Sequence, residues 1–144
     1  MLPKCENALG YDPESYSPQA SHPARRPGRT LLGISLSGLF AVWAWMQGDD
    51  FDNIASISGS FWYDGFTDWL ARNAIRKDGQ RAFLCLGDKE GYTHVRRYKS
   101  IPVDTSRVAD ILSRCGARVT DISVPGTHYA DPLPRIRIAL AALR

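Results

Sequence analysis

Ser35 stands in Gly33-Ile-Ser-Leu-Ser-Gly38, between an apolar run that reads as a strand and a second that reads as a helix. Small neighbours at Gly33, Ser37 and Gly38 permit the sharp turn that lifts a hydroxyl above a sheet edge, where it can act as a nucleophile. A serine hydroxyl needs a base near neutral pH, and His128, in Pro125-Gly-Thr-His128, is placed to serve. An imidazole titrating near 6.5 can take the Ser35 proton and return it to a leaving alkoxide. A carboxylate on the other ring nitrogen would fix the tautomer and stabilise the imidazolium. Asp88 and Glu90 both follow an apolar strand-like run and are both candidates for that position. The backbone N–H of Leu36, at the start of the helix, would be half of an oxyanion hole. Ser60, Phe61, Trp62 and Tyr63 follow another strand end and are candidates to line an acyl or aromatic pocket, although core packing is the commoner fate of such rings. His22 and His94 fall away from the strand ends and read as tail and surface loop.

These groups meet only if the elements bring their ends to one rim. Residues 30–34 read as a short strand, and 36–47 as a helix so apolar that it should be covered on every side. Residues 54–58 read as a second strand, 66–74 as a short helix with Trp69 and Leu70 inward, and 82–86 as a third strand stopped by Gly87-Asp88. Val108, Ile111, Leu112 and Cys115 repeat at helical spacing, so 104–115 reads as an amphipathic helix, capped by Asp104 or Thr105 and stopped by Gly116. Residues 119–124 read as a fourth strand. Asp131-Pro132 opens a closing helix with Leu133, Ile136, Leu140 and Leu143 on one face. Strands alternating with helices of this length predict an α/β three-layer sandwich with a mainly parallel sheet of about four strands. In such sheets ligands bind beyond the carboxyl ends of the strands, where Ser35, Ser60, Asp88, Glu90 and His128 all fall.

Residues 1–29 hold five of the nine prolines without apolar periodicity, which predicts an irregular or disordered leader ahead of a single domain over 30–144. A net charge of +3 is too small and scattered to argue for nucleic acid, and Arg25, Arg26 and Arg29 read as a solvated arm. Three cysteines make no disulfide framework: Cys85 and Cys115 read as small core residues and Cys5 as a free thiol. The first residues lack the apolar core of a signal peptide, and the apolar run 31–46 falls short of the roughly 20 residues of a membrane span. The reading is therefore cytoplasmic, with no membrane partner. Gly33–Gly38 at a helix start could cradle phosphate. However, no Gly-x-Gly-x-x-Gly or Gly-Lys-Ser/Thr is present and no acidic ribose partner ends the second strand, so no nucleotide, other cofactor or metal is expected.

Three blocks together resemble the esterase family of the α/β-hydrolase superfamily, which includes siderophore esterases, esterase D-like enzymes and mycolyltransferases. Gly33-Ile-Ser-Leu-Ser-Gly-Leu-Phe-Ala41 is similar to the family's elbow, and Phe51 to Trp62 is similar to the block ending in Ser-Gly-Ser-x-Trp. Leu86-Gly-Asp-Lys-Glu90 and Pro125-Gly-Thr-His-Tyr-Ala-Asp131 are similar to the acid loop and to the family's Pro-Gly-Gly-His-x-x-Asp histidine loop. The order hydroxyl, acid, imidazole is also the one α/β hydrolases use. Ser37 and Thr127 depart from the small residues the family carries there. The resemblance implies Ser35 as nucleophile, Glu90 as acid and His128 as base, with Asp88 as the alternative acid because it is nearer the strand end. It implies a serine ester hydrolase acting on a siderophore or other small ester. Family members carry further strands ahead of the elbow, including the loop with the second oxyanion donor. Only the Pro-rich leader precedes it here, so the chain is expected to be the C-terminal half of the fold. Thr30–Ile34 is then an edge left bare in a truncated, non-catalytic remnant, or one covered by a homo-oligomer or by a missing N-terminal half.

Overall fold

In a strand, neighbouring side chains serve opposite faces, and the two central strands are apolar on both. The computed structural model describes residues 28–144, so the expectations for Cys5, His22 and most of the leader lie outside the described residues. In β2 (Asn53–Ile57), Ile54 joins one core while Ala55 and Ile57 join the other; in β3 (Arg81–Gly87), Ala82 and Leu84 face one way, Phe83 and Cys85 the other. β1 (Thr30–Ile34) and β4 (Arg118–Val124) flank them, giving a four-stranded, fully parallel sheet in the order β1-β2-β3-β4. Ile34, Ile57, Cys85 and Ile122 share one register row, so the strands end together on one rim.

Three helices cover one face. α1 (Leu36–Trp45), α2 (Phe66–Asn73) and α3 (Ile101–Arg114) bring Val42, Trp45, Phe66, Leu70, Val108 and Leu112 onto Ile54 and Leu84. α4 (Leu133–Ala142) covers the other face through Ala139 and Ile136. The expected α/β three-layer architecture is present. No helix among the described residues is long and apolar enough to cross a membrane.

Three local expectations need correction. α1 is not covered on all sides: Gly38, Ala41, Val42 and Trp45 are buried, whereas Leu36, Phe40 and Trp43 are 62%, 52% and 40% exposed. Its uniform apolarity hid which face turns inward. α3 begins at Ile101, with Ser100 in the cap position instead of Asp104 or Thr105. Pro102 suits a first turn, where no N–H is needed and φ is already helical. In α4, Leu133 and Leu140 are exposed and the buried side is Arg135 with Ala139. Cys115 lies just past α3 and is half-buried, whereas Cys85 is fully in the core.

Candidate active site

The strand-to-helix turn at Ser35 has φ 56° and ψ −121°, a conformation that costs a non-glycine residue about 1–3 kcal/mol. Bonds on both sides hold it. The Ser35 N–H donates to the Ile57 carbonyl at 2.9 Å, and the Ser35 carbonyl accepts from Ser60 at 3.0 Å and Gly38 at 3.0 Å. Ser37 closes the turn by donating to the Ile34 carbonyl at 2.7 Å and accepting from its N–H at 2.8 Å. A Cβ on Gly33 would overlap the Ser37 carbonyl, and one on Gly38 would lie 2.7 Å from Ser56 Oγ. The small residues are therefore required by close approach, and the strain aims the Ser35 hydroxyl over the rim.

Two further loops meet it there. Ser35 Oγ is 3.0 Å from His128 Nε2, and His128 Nδ1 is 2.9 Å from Glu90 Oε2. The imidazole is partly exposed, whereas the Glu90 side chain has no exposure at all. Its other oxygen, Oε1, accepts from Ser58 Oγ at 2.6 Å, the Gly87 N–H at 2.8 Å and Arg135 Nη1 at 3.1 Å. A carboxylate removed from water is tolerable only with such complete pairing. In chemical terms the arrangement can deprotonate an alcohol and hold the resulting imidazolium against a buried carboxylate. The Leu36 N–H, at the first position of α1, has no acceptor within the helix and is free for an oxyanion.

Asp88, the alternative acid, is not on the imidazole. Its N–H continues the β3–β4 ladder to the Val124 carbonyl at 2.8 Å, and its Oδ1 accepts the Gly126 N–H at 2.9 Å. Nearness to the strand end thus turned its side chain toward the histidine loop's backbone. Glu90, in the turn beyond, folds back over the rim. Ser60 and Trp62 do line a cavity of about 620 Å³ that opens on Ser35 and His128. Phe61 does not: it is 2% exposed and stacks on Phe66 at 5.7 Å inside the main core, so its place in the expected pocket is withdrawn. Beyond β2 the chain turns, which buries Phe61 against Phe66 while Ser60 and Trp62 line the cavity.

Some lining residues carried little signal in the sequence. Tyr92, His94 and Tyr98, from the segment between β3 and α3, line the cavity; His94 does so from an exposed surface loop, as the sequence predicts. Tyr98 packs on Trp62 with ring centroids 4.8 Å apart, and the Arg97 guanidinium lies 5.7 Å from the Trp62 ring. Ser58, at positive φ 51°, and Arg135, 3% exposed, were also missed. The helical pattern carried no signal for Arg135, because Leu133, Ile136, Leu140 and Leu143 marked the face expected to turn inward. Beneath the site Cys85 stays a neutral thiol, since burial pushes its pKa up more than the nearby Arg135 guanidinium lowers it. Among the described residues no cluster of three or more His, Cys, Asp or Glu could hold a metal ion.

No protein-family model matches the chain. Over 64 residues it is 33% identical to the uncharacterized protein YbbA of Bacillus subtilis (strain 168), a match covering 44% of this chain and 26% of that one. It is similar to the solved structure of siderophore hydrolase EstA from Aspergillus nidulans, with TM-score 0.59 and 20% identity over 81% of this chain and 48% of EstA. Siderophore hydrolase EstB from the same organism gives TM-score 0.56 and 17% identity over 79% of this chain and 48% of EstB. The Pyrococcus horikoshii acylaminoacyl peptidase gives 0.55 and 15% over 78% of this chain and 23% of the peptidase. At these identities the likeness is one of fold, the α/β-hydrolase fold. The chain spans about half the length of the two siderophore hydrolases it matches.

Proposed function

We propose that this chain, which has the fold of α/β hydrolases, carries the reacting groups of a serine ester hydrolase working through an acyl-serine intermediate. The observation that supports this best is the continuous hydrogen-bonded line from Ser35 Oγ through both nitrogens of His128 to the buried Glu90 carboxylate. Ser35 attacks the ester carbonyl while His128 Nε2 takes its proton. The Glu90 carboxylate fixes the Nδ1–H tautomer and stabilises the imidazolium. The Leu36 N–H donates to the oxyanion, and His128 then protonates the leaving alkoxide. Water activated by the same imidazole releases the acyl group. The aromatic wall of Trp62 and Tyr98 suits a small ester with a flat or apolar acyl or alcohol portion, and the likeness in fold to two siderophore hydrolases makes a siderophore one candidate substrate.

A fluorophosphonate probe and p-nitrophenyl esters test the reading. Labelling and turnover are expected in the wild-type chain; in Ser35→Ala labelling is expected to be lost and turnover to fall by up to about 10⁶-fold, the scale seen when the nucleophile of such a site is removed. A folded wild-type chain that neither labels nor turns over would overturn it. A second reading, a non-catalytic remnant or a half-domain completed by a partner, is favoured by one observation. Among the described residues β1 has a neighbour on one side only, beside the exposed apolar side of α1. One amide donor instead of two costs such reactions about 10²–10³ in rate. A monodisperse, inactive monomer supports the remnant; activity appearing only in an assembled form supports the half-domain.

A further inference from the structure

Arg135 is the one buried cation that touches both the acid and the histidine loop among the described residues. Its Nη1 donates to Glu90 Oε1 at 3.1 Å and to Ser58 Oγ at 2.8 Å, and its Nη2 donates to the Thr127 carbonyl, next to His128, at 3.0 Å. We propose that Arg135 is a positioning residue for the Ser35–His128–Glu90 line: its planar fork fixes the Glu90 carboxylate and the His128 loop at one mutual distance. The proposal rests on the esterase reading of that line.

Three features converge on it. Glu90 Oε1 is saturated by Ser58, Gly87 and Arg135, which leaves Oε2 to face the imidazole. The guanidinium also supplies the countercharge that a carboxylate out of reach of water requires, with side-chain exposures of 4% and 0% for the pair. Next, Gly87 lacks a side chain where one would run into the Gly126 carbonyl and lie 2.7 Å from Arg135 Nη2. The backbone is thus cleared for this contact. Finally, α4 turns Arg135 inward while Leu133 and Leu140 stay in water, an arrangement that forgoes apolar burial for a charge. The two arms of a guanidinium can grip two acceptors in one plane, which an ammonium cannot do.

Arg135→Lys keeps a positive charge and loses the fork; it is the variant chosen to remain folded, checked by circular dichroism. With p-nitrophenyl butyrate we expect kcat to fall at least tenfold and KM to stay within about threefold, because geometry at the base is altered and substrate contacts are not. In the Glu90→Gln background the same change should cost less than about twofold, since the group it positions is already disabled. A low-field proton resonance at Nδ1 of His128 should be present in wild type and be shifted or lost in Arg135→Lys. A kcat within twofold of wild type, an unmoved resonance, or a loss in the double variant equal to the product of the single ones overturns the proposal. If the wild-type chain shows no Ser35-dependent turnover, the esterase reading fails. The resonance then decides the Arg135 contact alone, and an unmoved signal rejects it.

Discussion

Asp88 and Glu90 lie two residues apart and hold different things. Glu90 Oε2 meets the imidazole at Nδ1, whereas Asp88 Oδ1 takes the Gly126 N–H. Neutralising each in turn should separate the two jobs. Glu90→Gln is expected to lower kcat by about 10⁴, because an amide can donate to Nδ1 and so stabilise the wrong tautomer. Asp88→Asn keeps an oxygen acceptor for Gly126 and is expected to stay within about tenfold of wild type, as a neutral acceptor replaces a charged one at an exposed site. Steady-state kinetics of both variants check this, and the reverse order of losses would return the acid's role to Asp88. Ser58 shows why such a site asks for unusual backbone: at positive φ its N–H bonds the Cys85 carbonyl at 2.7 Å while its hydroxyl sits between Arg135 and Glu90.

At the scale of elements, the histidine loop is anchored at one end by β4, an edge strand whose side chains are mostly in water. Asp121 on that strand is largely exposed, yet partial burial of its carboxyl, and secondly the neighbouring Asp110 of α3, push its pKa up from the ordinary aspartate value. A carboxyl whose folded value is raised contributes stability that is fully present below its unfolded pKa and is lost as pH rises through the folded one. Asp121→Asn should therefore match the wild-type Tm below about pH 4 and exceed it, modestly, as pH rises toward neutrality. Thermal melts from pH 3.5 to 7 check the sign, and a constant difference across that range would refute it. Between β4 and α4 the chain presents His128 to Ser35 and Arg135 to the interior within eight residues.

At the scale of the whole molecule, Tyr92 and Tyr98 wall the cavity beside Ser35 and His128, and β1 has a strand neighbour on one side only among the described residues. Leu36, Phe40 and Trp43 form one exposed stripe on α1, next to a strand whose outer backbone groups have no strand partner among the described residues. Apolar stripes beside bare strand edges favour association. We expect the chain alone to self-associate at micromolar concentration, and Phe40→Glu to reduce this with Tm changed by less than about 2 °C, since the ring it removes is half in water. Light scattering coupled to size exclusion checks both, and a monodisperse wild-type monomer would refute the expectation.

The strands, their parallel direction and the place of Ser35, Asp88, Glu90 and His128 on one rim were legible in the residue types. Period-two and helical patterns are local, and carboxyl-end sites follow from parallel topology. Turn chemistry was equally local, which is why Gly33, Ser37 and Gly38 marked the elbow. Residue types left Asp88 and Glu90 both open and the family resemblance implied Glu90, which the tertiary structure puts on the imidazole. Tertiary structure alone decided that Phe61 turns inward while Trp62 lines the cavity, and that Arg135 outranks Leu133 and Leu140 for the interior of α4. Those outcomes depend on side-chain direction and on charge pairing across residues 45 apart in Glu90 and Arg135. A uniformly apolar helix such as α1 likewise says nothing of which side will be covered, because that depends on what the rest of the sheet places beside it.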